Sequence, residues 1–275
     1  MANSAVLAWG DKLLESVTAT EFLRPASQGR TAPILLMCED AAGETVEVFC
    51  KLSSGCDAGV SSLSRESIGA CLAAHLGLPV PHPYWVRLPP EFIESVSDET
   101  VRQKLGASSP VGFGSLRVPN QFAAWAKGNL ITDTMMPDAT GTLVLDAIIQ
   151  NPDRRDGNPN CLVKGDNLRI FDHELAFMTE QLLFWKPPWT LGGLSWVGAP
   201  GAHIFVGGLK GRDVDYDLIK DRWVNLSDEV IASYQTAVPD EWAGSEAAVD
   251  AALKLIRDAR DNIDGCLDEV RRILK

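Results

Sequence analysis

The sequence contains no long apolar run. No stretch approaches the roughly 20 consecutive apolar residues that a membrane-spanning helix requires, so we expect no membrane partner. The first 16 residues also lack a basic segment followed by an apolar core, and we therefore expect no signal peptide.

Paired cysteine motifs and a common hydrolase motif are missing as well. None of the six cysteines forms a CxxC pair or has a metal-ligand spacing to a histidine. Such isolated cysteines, mostly inside apolar runs, are typical of buried, reduced thiols in a cytoplasmic protein. The absence of G-x-S-x-G argues against a serine hydrolase of that type.

Positive charge is scarce. Lysine and arginine total 25 against 37 aspartates and glutamates, which gives a net charge of −12. A protein that binds the nucleic-acid backbone needs a basic face, so we expect no direct nucleic-acid binding, although a local basic pocket is compatible with this charge. The 275 residues suffice for one large domain or two lobes.

Apolar periodicity predicts strands in the first half of the chain and helices in the second. An amphipathic segment at 5–16 precedes the first strand. The predicted strands are 17–25, 33–40, 43–54, 78–90 and 109–119, with helices at 62–78 and 90–108. Further helices are predicted at 143–151, 215–226, 227–238 (with Ser227 as N-cap) and 246–275, the last with a break near Gly265. We expect Trp185, Trp189 and Trp196 to pack between helices.

A polar loop at 150–160 connects an apolar helix to a predicted β-hairpin. The hairpin strands are CLV (161–163) and LRIF (168–171), so the hairpin would bring Asn158 and Asp172 to one end. Mg²⁺ prefers carboxylate and amide oxygens together with substrate phosphates. This stretch predicts either a magnesium site at Asn158 and Asp172, with Asn160 as the alternative amide, or an ordinary Asn/Asp-rich surface turn.

Lys51 ends an apolar strand, and Glu66 follows near the start of a helix. Either Glu66 complements the helix dipole and Lys51 is solvated, or the two form an ion pair that directs the lysine towards nucleotide phosphates. Their order and spacing favour the ion pair.

The loop at 26–33 contains one glycine, Gly29, and one basic residue, Arg30. It is interpreted either as a phosphate-covering turn or as an ordinary hairpin connection.

Three ordered segments resemble the HipA-like kinases, relatives of the phosphatidylinositol 3- and 4-kinases. RESIGACLAAHLGLPVPHP resembles the family's helix glutamate followed by G-L-P-V-P. LVLDAIIQNPDRRDGNPNCLV resembles its D-x-x-x-x-N-x-D-R segment ending in N-P-N-x-L, and LRIFDHELAF resembles its I-D-H segment. The N-P-N and D-H motifs are most similar to those of the short, stand-alone group of the family. The resemblance extends over about residues 18–242 and is strongest at 143–177.

The resemblance implies an α+β protein with a bilobed protein-kinase-like fold. A small antiparallel sheet with a helix (1–128) would form the N-lobe, and a larger, mainly helical C-lobe (129–275) would follow. The implied activity is an ATP- and Mg²⁺-dependent phosphotransferase, with a protein Ser/Thr acceptor favoured. A small-molecule kinase and a regulatory, nucleotide-binding pseudokinase are the alternatives.

The resemblance also implies roles for individual residues. Asp153 would orient or deprotonate the acceptor hydroxyl, Asn158 or Asn160 and Asp172 would bind Mg²⁺, and Lys51, held by Glu66, would contact the ATP phosphates. Gly29 and Arg30 would lie over the nucleotide. Arg154 or Arg155 would add positive charge near the γ-phosphate.

Overall fold

The computed structural model describes residues 14–27, 29–181 and 184–275. Residues 5–13 of the predicted amphipathic segment lie outside these ranges. The strands are β1 (Glu15–Pro25), β2 (Ile34–Glu39), β3 (Thr45–Lys51), β4 (Pro83–Arg87), β5 (Val111–Leu116), β6 (Ala123–Ala124), β7 (Cys161–Lys164) and β8 (Asn167–Ile170). The α-helices are α1 (Val60–His75), α2 (Pro90–Ser95), α3 (Glu99–Gly106), α4 (Met136–Ile148), α5 (Val206–Leu209), α6 (Asp217–Val224), α7 (Asp228–Ser233), α8 (Glu246–Asp261) and α9 (Ile263–Leu274).

The first five strands close into a small barrel in the order β1-β2-β3-β5-β4. Four of its pairings are antiparallel, but β1 and β4 pair in parallel, so the expected purely antiparallel sheet is corrected in this respect. Strand β1 makes the closure possible because its pairing with β2 is interrupted by two register shifts. Such irregularities bend a strand, and the first residues of β1, Glu15–Thr18, turn to pair with β4.

Two apolar cores hold the described chain together. One fills the barrel beneath α2 and α3 and contains Leu36, Val48 and Val86. The other joins α1 to the helices of the C-terminal half and contains Ile68, Leu145 and Ile256. Helix α1 therefore packs against both the barrel and the helical part. The chain is a mixed α+β protein, and its division into lobes at residue 128 stays a prediction.

Several predicted helix bounds are wrong for local reasons. The helix expected over 90–108 is two helices, because Asp98 adopts an extended backbone and its side chain caps α3 by accepting from the Val101 N–H. The helix at 143–151 begins earlier, at Met136, and ends at Ile148. The break expected near Gly265 in the C-terminal helix occurs at Asn262, three residues earlier. Gly265 lies inside α9, where a Cβ would come within 2.8 Å of the Trp189 carbonyl oxygen.

Other predictions are confirmed. Ser227 caps α7 by accepting from the Val230 N–H. Trp185, Trp189 and Trp196 are partly buried and pack against the larger core. None of the helices in the described part of the chain combines the length and apolar character that crossing a bilayer requires.

The predicted hairpin forms as β7 and β8. Cys161 pairs with Ile170 and Lys164 pairs with Asn167, which leaves a two-residue turn, and β6 pairs with the outer edge of β7. The Phe171 N–H donates to the Asn160 carbonyl oxygen at 3.2 Å, so the pairing continues beyond the strands. This contact brings the 150–160 loop and Asp172 to the same end of the hairpin.

Candidate active site

A cavity of about 390 Å³ lies between the barrel and the hairpin. Its walls come from the loop at 26–33, from β3 and β5, and from both sides of the hairpin. Eight of the ten residues with site roles predicted from the sequence line it: Gly29, Arg30, Lys51, Glu66, Asp153, Asn158, Asn160 and Asp172. The structure thus brings together residues that are spread over more than half of the chain.

Lys51 occupies the last position of β3, where β3 pairs with β5. Its Nζ lies 2.8 Å from Glu66 Oε2, 2.6 Å from Asp172 Oδ1 and 3.2 Å from Glu174 Oε2. The predicted ion pair between Lys51 and Glu66 therefore forms. Because α1 begins at Val60, Glu66 lies in its second turn, and its carboxylate is buried beside Lys51 instead of complementing the helix dipole.

These charges determine one another's ionisation. Burial alone would lower the pKa of Lys51, but Asp172, Glu66 and Glu174 outweigh it and hold that pKa well above its ordinary value. Burial likewise opposes ionisation of Glu66, yet Lys51 and His173 hold its pKa well below the usual range. The pKa of Glu174 is raised by its burial, with Asp172 and Glu66 adding to the effect. The lysine and Glu66 thus form a buried, fully charged pair.

Helix α1 also fixes the segment that carries Asp172. The backbone N–H of His173 donates to Glu66 Oε2 at 2.7 Å. At Gly69, one turn further along α1, a Cβ would lie 2.6 Å from the His173 Cβ. Glycine at this position allows the helix and the segment to approach closely enough for Asp172 to reach Lys51.

Asp153 lies in the loop before the hairpin, held by the two candidate amides. Its Oδ2 accepts from Asn158 Nδ2 at 2.8 Å and from Asn160 Nδ2 at 3.2 Å. Its own N–H donates to Asn151 Oδ1 at 3.2 Å. The carboxylate that would face an acceptor hydroxyl is therefore oriented by the same two residues that could bind a cation.

The backbone at two candidate ligand positions is unusual. Asn160 has φ of 42° and Asp172 has φ of 68°, both in the left-handed region. Such a conformation costs about 1–3 kcal/mol in a residue with a side chain and persists only where its surroundings enforce it. Both residues line the cavity.

Arg154 does not lie near the position expected for a γ-phosphate, and that expectation is wrong. Its side chain is 0% exposed and forms an ion pair with Asp146, with Nε 2.5 Å from Oδ2. Arg155 is half exposed, with Nε 3.8 Å from Asp153 Oδ1, and is not among the residues that line the cavity.

The loop at 26–33 is the hairpin connection that one interpretation expected, and its role over a phosphate stays a prediction. It connects the antiparallel strands β1 and β2, and the Ala32 N–H donates to the Gly29 carbonyl oxygen at 3.0 Å. Gly29 has φ of 117°, which glycine adopts readily. Arg30 forms an ion pair with Asp57 at 2.5 Å and lies 3.9 Å from Glu174 Oε1, so the loop contacts the charged end of the cavity.

Sequence reasoning missed Glu174 and the apolar wall of the cavity. Glu174 is two residues beyond Asp172 in D-H-E, and this proximity was the only signal that could have found it. The apolar wall combines side chains from β3, β5, β7 and the segments beside them: Phe49, Phe113, Leu116, Val118, Ala124 and Leu162. Most of these residues belong to predicted strands, and the sequence does not show that their side chains line one cavity.

The cavity places hard oxygen ligands beside the positively charged ammonium group of Lys51. Glu66, Asp172 and Glu174 have carboxylate oxygens within 4.8 Å of one another, and Lys51 lies among them. The side-chain oxygens of Asn158 and Asn160 are additional candidate ligands. A carboxylate and amide set of this kind suits Mg²⁺ together with the phosphates of a nucleotide.

A sequence model of the family described as HipA-like kinase matches residues 19–183, more than half of the chain. The chain belongs to the HipA-like kinase family. The match contains the eight predicted site residues that line the cavity, and membership in this kinase family implies a phosphotransferase.

Among solved structures, the HipA-like chain is similar to the crystal structure of a Helicobacter pylori proinflammatory kinase, CtkA. The TM-score is 0.49 at 10% sequence identity, and the similarity covers 94% of this chain and 100% of that chain. No curated protein matches the sequence.

Proposed function

We propose that this HipA-like protein is an ATP- and Mg²⁺-dependent phosphotransferase whose acceptor is a serine or threonine hydroxyl of a protein. The observation that carries the proposal is the contact between Lys51 and Asp172 in a cavity also lined by Asp153 and Asn158. Phosphoryl transfer depends mainly on positioning and charge neutralisation, and these residues can supply both.

The cavity suits Mg·ATP in size and composition. Its volume of about 390 Å³ falls within the range of small-molecule sites, and its apolar wall suits a flat base. Asp172 with Asn158 or Asn160 would hold Mg²⁺, and Lys51 would contact the phosphates. Bound there, Mg²⁺ would neutralise phosphate charge during transfer.

The remaining chemistry falls to the protein. Asp153 would orient the acceptor hydroxyl and accept its proton as the oxygen attacks the γ-phosphorus. The bond from that phosphorus to the β–γ bridging oxygen breaks, and ADP leaves. Asn158 and Asn160 hold the Asp153 carboxylate through their amide nitrogens, which supports its role as an oriented base.

The proposal includes a bilobed, protein-kinase-like arrangement with lobes at 1–128 and 129–275 and the nucleotide between them. The cavity lies where the barrel meets the hairpin, which supports this division. It also includes a cytoplasmic location and no direct nucleic-acid binding. All six cysteines are free, which suits a reducing compartment, and the net charge is −12.

Transfer of phosphate from γ-labelled Mg·ATP tests the activity. The purified chain is incubated with a protein extract or with a metabolite extract, and the label is followed into each pool. Label on protein serine or threonine supports the proposal, whereas label on small molecules supports a small-molecule kinase.

An Asp153→Asn variant serves as the background control. A protein that binds ATP but transfers no label to either pool, nor to itself, would instead be a nucleotide-binding pseudokinase. Absence of ATP binding altogether would contradict the proposal.

A further inference from the structure

Arg154 joins the three segments on which the candidate site is built. It directly follows Asp153, its side chain is 0% exposed, and it contacts α4, the last residue before β7 and the first residue after β8. We propose that Arg154 is a positioning residue that sets the backbone of the two cation-ligand positions, Asn160 and Asp172. This inference rests on the proposed function.

Every N–H of the Arg154 guanidinium has an acceptor. Nε and Nη2 donate to the two Asp146 oxygens, at 2.5 and 3.4 Å. Nη1 donates to the carbonyl oxygens of Asn160 and Phe171, the latter at 3.0 Å. The second Nη2 hydrogen faces His173 Nε2 at 3.3 Å, and that nitrogen must accept because a guanidinium only donates.

The two carbonyl groups that Arg154 contacts lie at or next to the residues with positive φ, Asn160 and Asp172. One belongs to Asn160 itself, and the other belongs to Phe171, the residue before Asp172. The rigid, planar Arg154 guanidinium therefore holds both the peptide group after Asn160 and the peptide group before Asp172. Lysine cannot reproduce this arrangement, because its three donors radiate from one nitrogen and lack the planar spacing of the guanidinium.

The Arg154 guanidinium is itself anchored in the helical part of the molecule. Asp146 is buried in α4 and also accepts from Asn151 Nδ2 at 2.9 Å, and its Oδ2 lies 3.1 Å from His203 Nε2. Arg154 thus transmits the position of α4 to both ligand residues. Its charge is neutralised by Asp146 and it lies outside the cavity lining, so it does not act on the phosphates directly.

The test is Arg154→Lys, which keeps the charge opposite Asp146 but removes the bridge between the two carbonyls. ATP affinity is measured by calorimetry in EDTA and then across a Mg²⁺ titration. We expect the half-saturating Mg²⁺ concentration to rise about 10- to 100-fold, the range for loss of a group that orients metal ligands. Mg²⁺-free ATP affinity should stay unchanged, since Lys51 and Glu66 are intact.

Arg212→Lys is the matched control. The Arg212 guanidinium also bridges a carbonyl and a carboxylate, those of Ile131 (2.6 Å) and Asp133 (2.6 Å), away from the cavity. It should retain the wild-type Mg²⁺ response. If Arg154→Lys fails to fold, the double variant Asp146→Leu, Arg154→Met replaces the buried pair with apolar side chains, a change that folds often tolerate. It should show the same rise.

The outcomes distinguish a failure of the positioning role from a failure of the proposed function. A folded Arg154 variant with a wild-type Mg²⁺ response would overturn the positioning role. Equal losses of Mg²⁺-free and Mg²⁺-dependent affinity would also overturn it, since they would indicate general damage to the cavity. Wild-type protein without any Mg²⁺-dependent ATP binding would overturn the proposed function, and this inference with it.

Discussion

Lys51 Nζ lies 2.6 Å from Asp172 Oδ1, although 121 residues separate the two in the sequence. The contact joins the last residue of a barrel strand to the segment that follows the hairpin. Glu66 reinforces it from α1, because its Oε2 accepts from both Lys51 and the His173 backbone. One carboxylate therefore holds Lys51 and the residue that follows Asp172.

Replacing Lys51 by Met should reduce ATP turnover at least about 100-fold, the scale for loss of one preorganised electrostatic group. The change removes the cation that would face the phosphates and leaves three carboxylates without it. Steady-state turnover measures the effect. Lys164→Met, at an exposed position that contacts Gln121, should behave as wild type. Normal turnover in Lys51→Met would remove this lysine from the site.

Glu174→Gln should tighten Mg²⁺-free ATP binding by about tenfold, the worth of one hydrogen bond to a charged group. The three donors of Lys51 are taken by Glu66, Asp172 and Glu174, and the Glu174 contact is the longest at 3.2 Å. The neutral amide would hold the Lys51 donor more weakly than the carboxylate does, and one negative charge that repels a polyanion would be gone. Fluorescence or calorimetric titration in EDTA measures the affinity, with exposed Glu180→Gln as control. Weaker binding would refute the competition.

Asp153→Asn should lower phosphoryl transfer about 10²- to 10⁴-fold while ATP affinity stays close to wild type. The amide cannot accept the proton of the acceptor hydroxyl. Single-turnover transfer and a separate binding titration distinguish the two effects. Asp156→Asn is the matched control, because that carboxylate pairs with exposed Lys127 at 3.2 Å. Retained transfer in Asp153→Asn would assign the base elsewhere.

Asp146 should make the fold sensitive to acid. Burial alone would raise its pKa, but Arg154 and His203 outweigh burial and hold the pKa well below its ordinary 3.8. A carboxyl whose pKa is depressed by folding contributes stability above its unfolded-state pKa and loses it as the pH falls towards the folded-state value. The free energy of unfolding should therefore decrease as the pH falls below about 4.

Asp146→Asn should cost about 3–5 kcal/mol near neutral pH, because it leaves a buried arginine charge without its partner. It should also flatten the acid dependence. Urea unfolding at several pH values measures both effects. Asp133→Asn, at a carboxylate that is 99% exposed, should change stability by less than about 1 kcal/mol. An acid slope in Asp146→Asn equal to that of wild type would contradict the assignment.

The hairpin and the lysine–glutamate pair were predictable because short-range signals determine them. Two apolar runs on either side of Gly165 predict the hairpin. A lysine at the end of a strand, followed by a glutamate in the next helix, predicts the ion pair. Local periodicity also located the strands of the barrel. It could not show that β1 pairs with β4 in parallel, because closing the barrel depends on bends in β1 that local periodicity does not predict.

The position of Arg154 illustrates the limit for side chains. Beside Asp153, an arginine in a polar loop suggests a phosphate contact, yet its partner Asp146 lies in the last turn of the preceding helix. Which partner the Arg154 side chain contacts depends on the three-dimensional path of the loop, which the sequence does not give. The role of Glu174 was not predictable for a similar reason, since its partner Lys51 is 123 residues away.

Thermal unfolding with and without Mg·ATP, for wild type and Asp172→Ala together, tests most directly whether nucleotide and metal bind at this cavity. At a hundredfold excess over Kd, ligand binding should stabilise the wild type by about 2.7 kcal/mol. We predict that Asp172→Ala loses this shift, whereas Asp166→Ala, in the exposed hairpin turn, keeps it. No shift in the wild type, or an equal shift in Asp172→Ala, would contradict it.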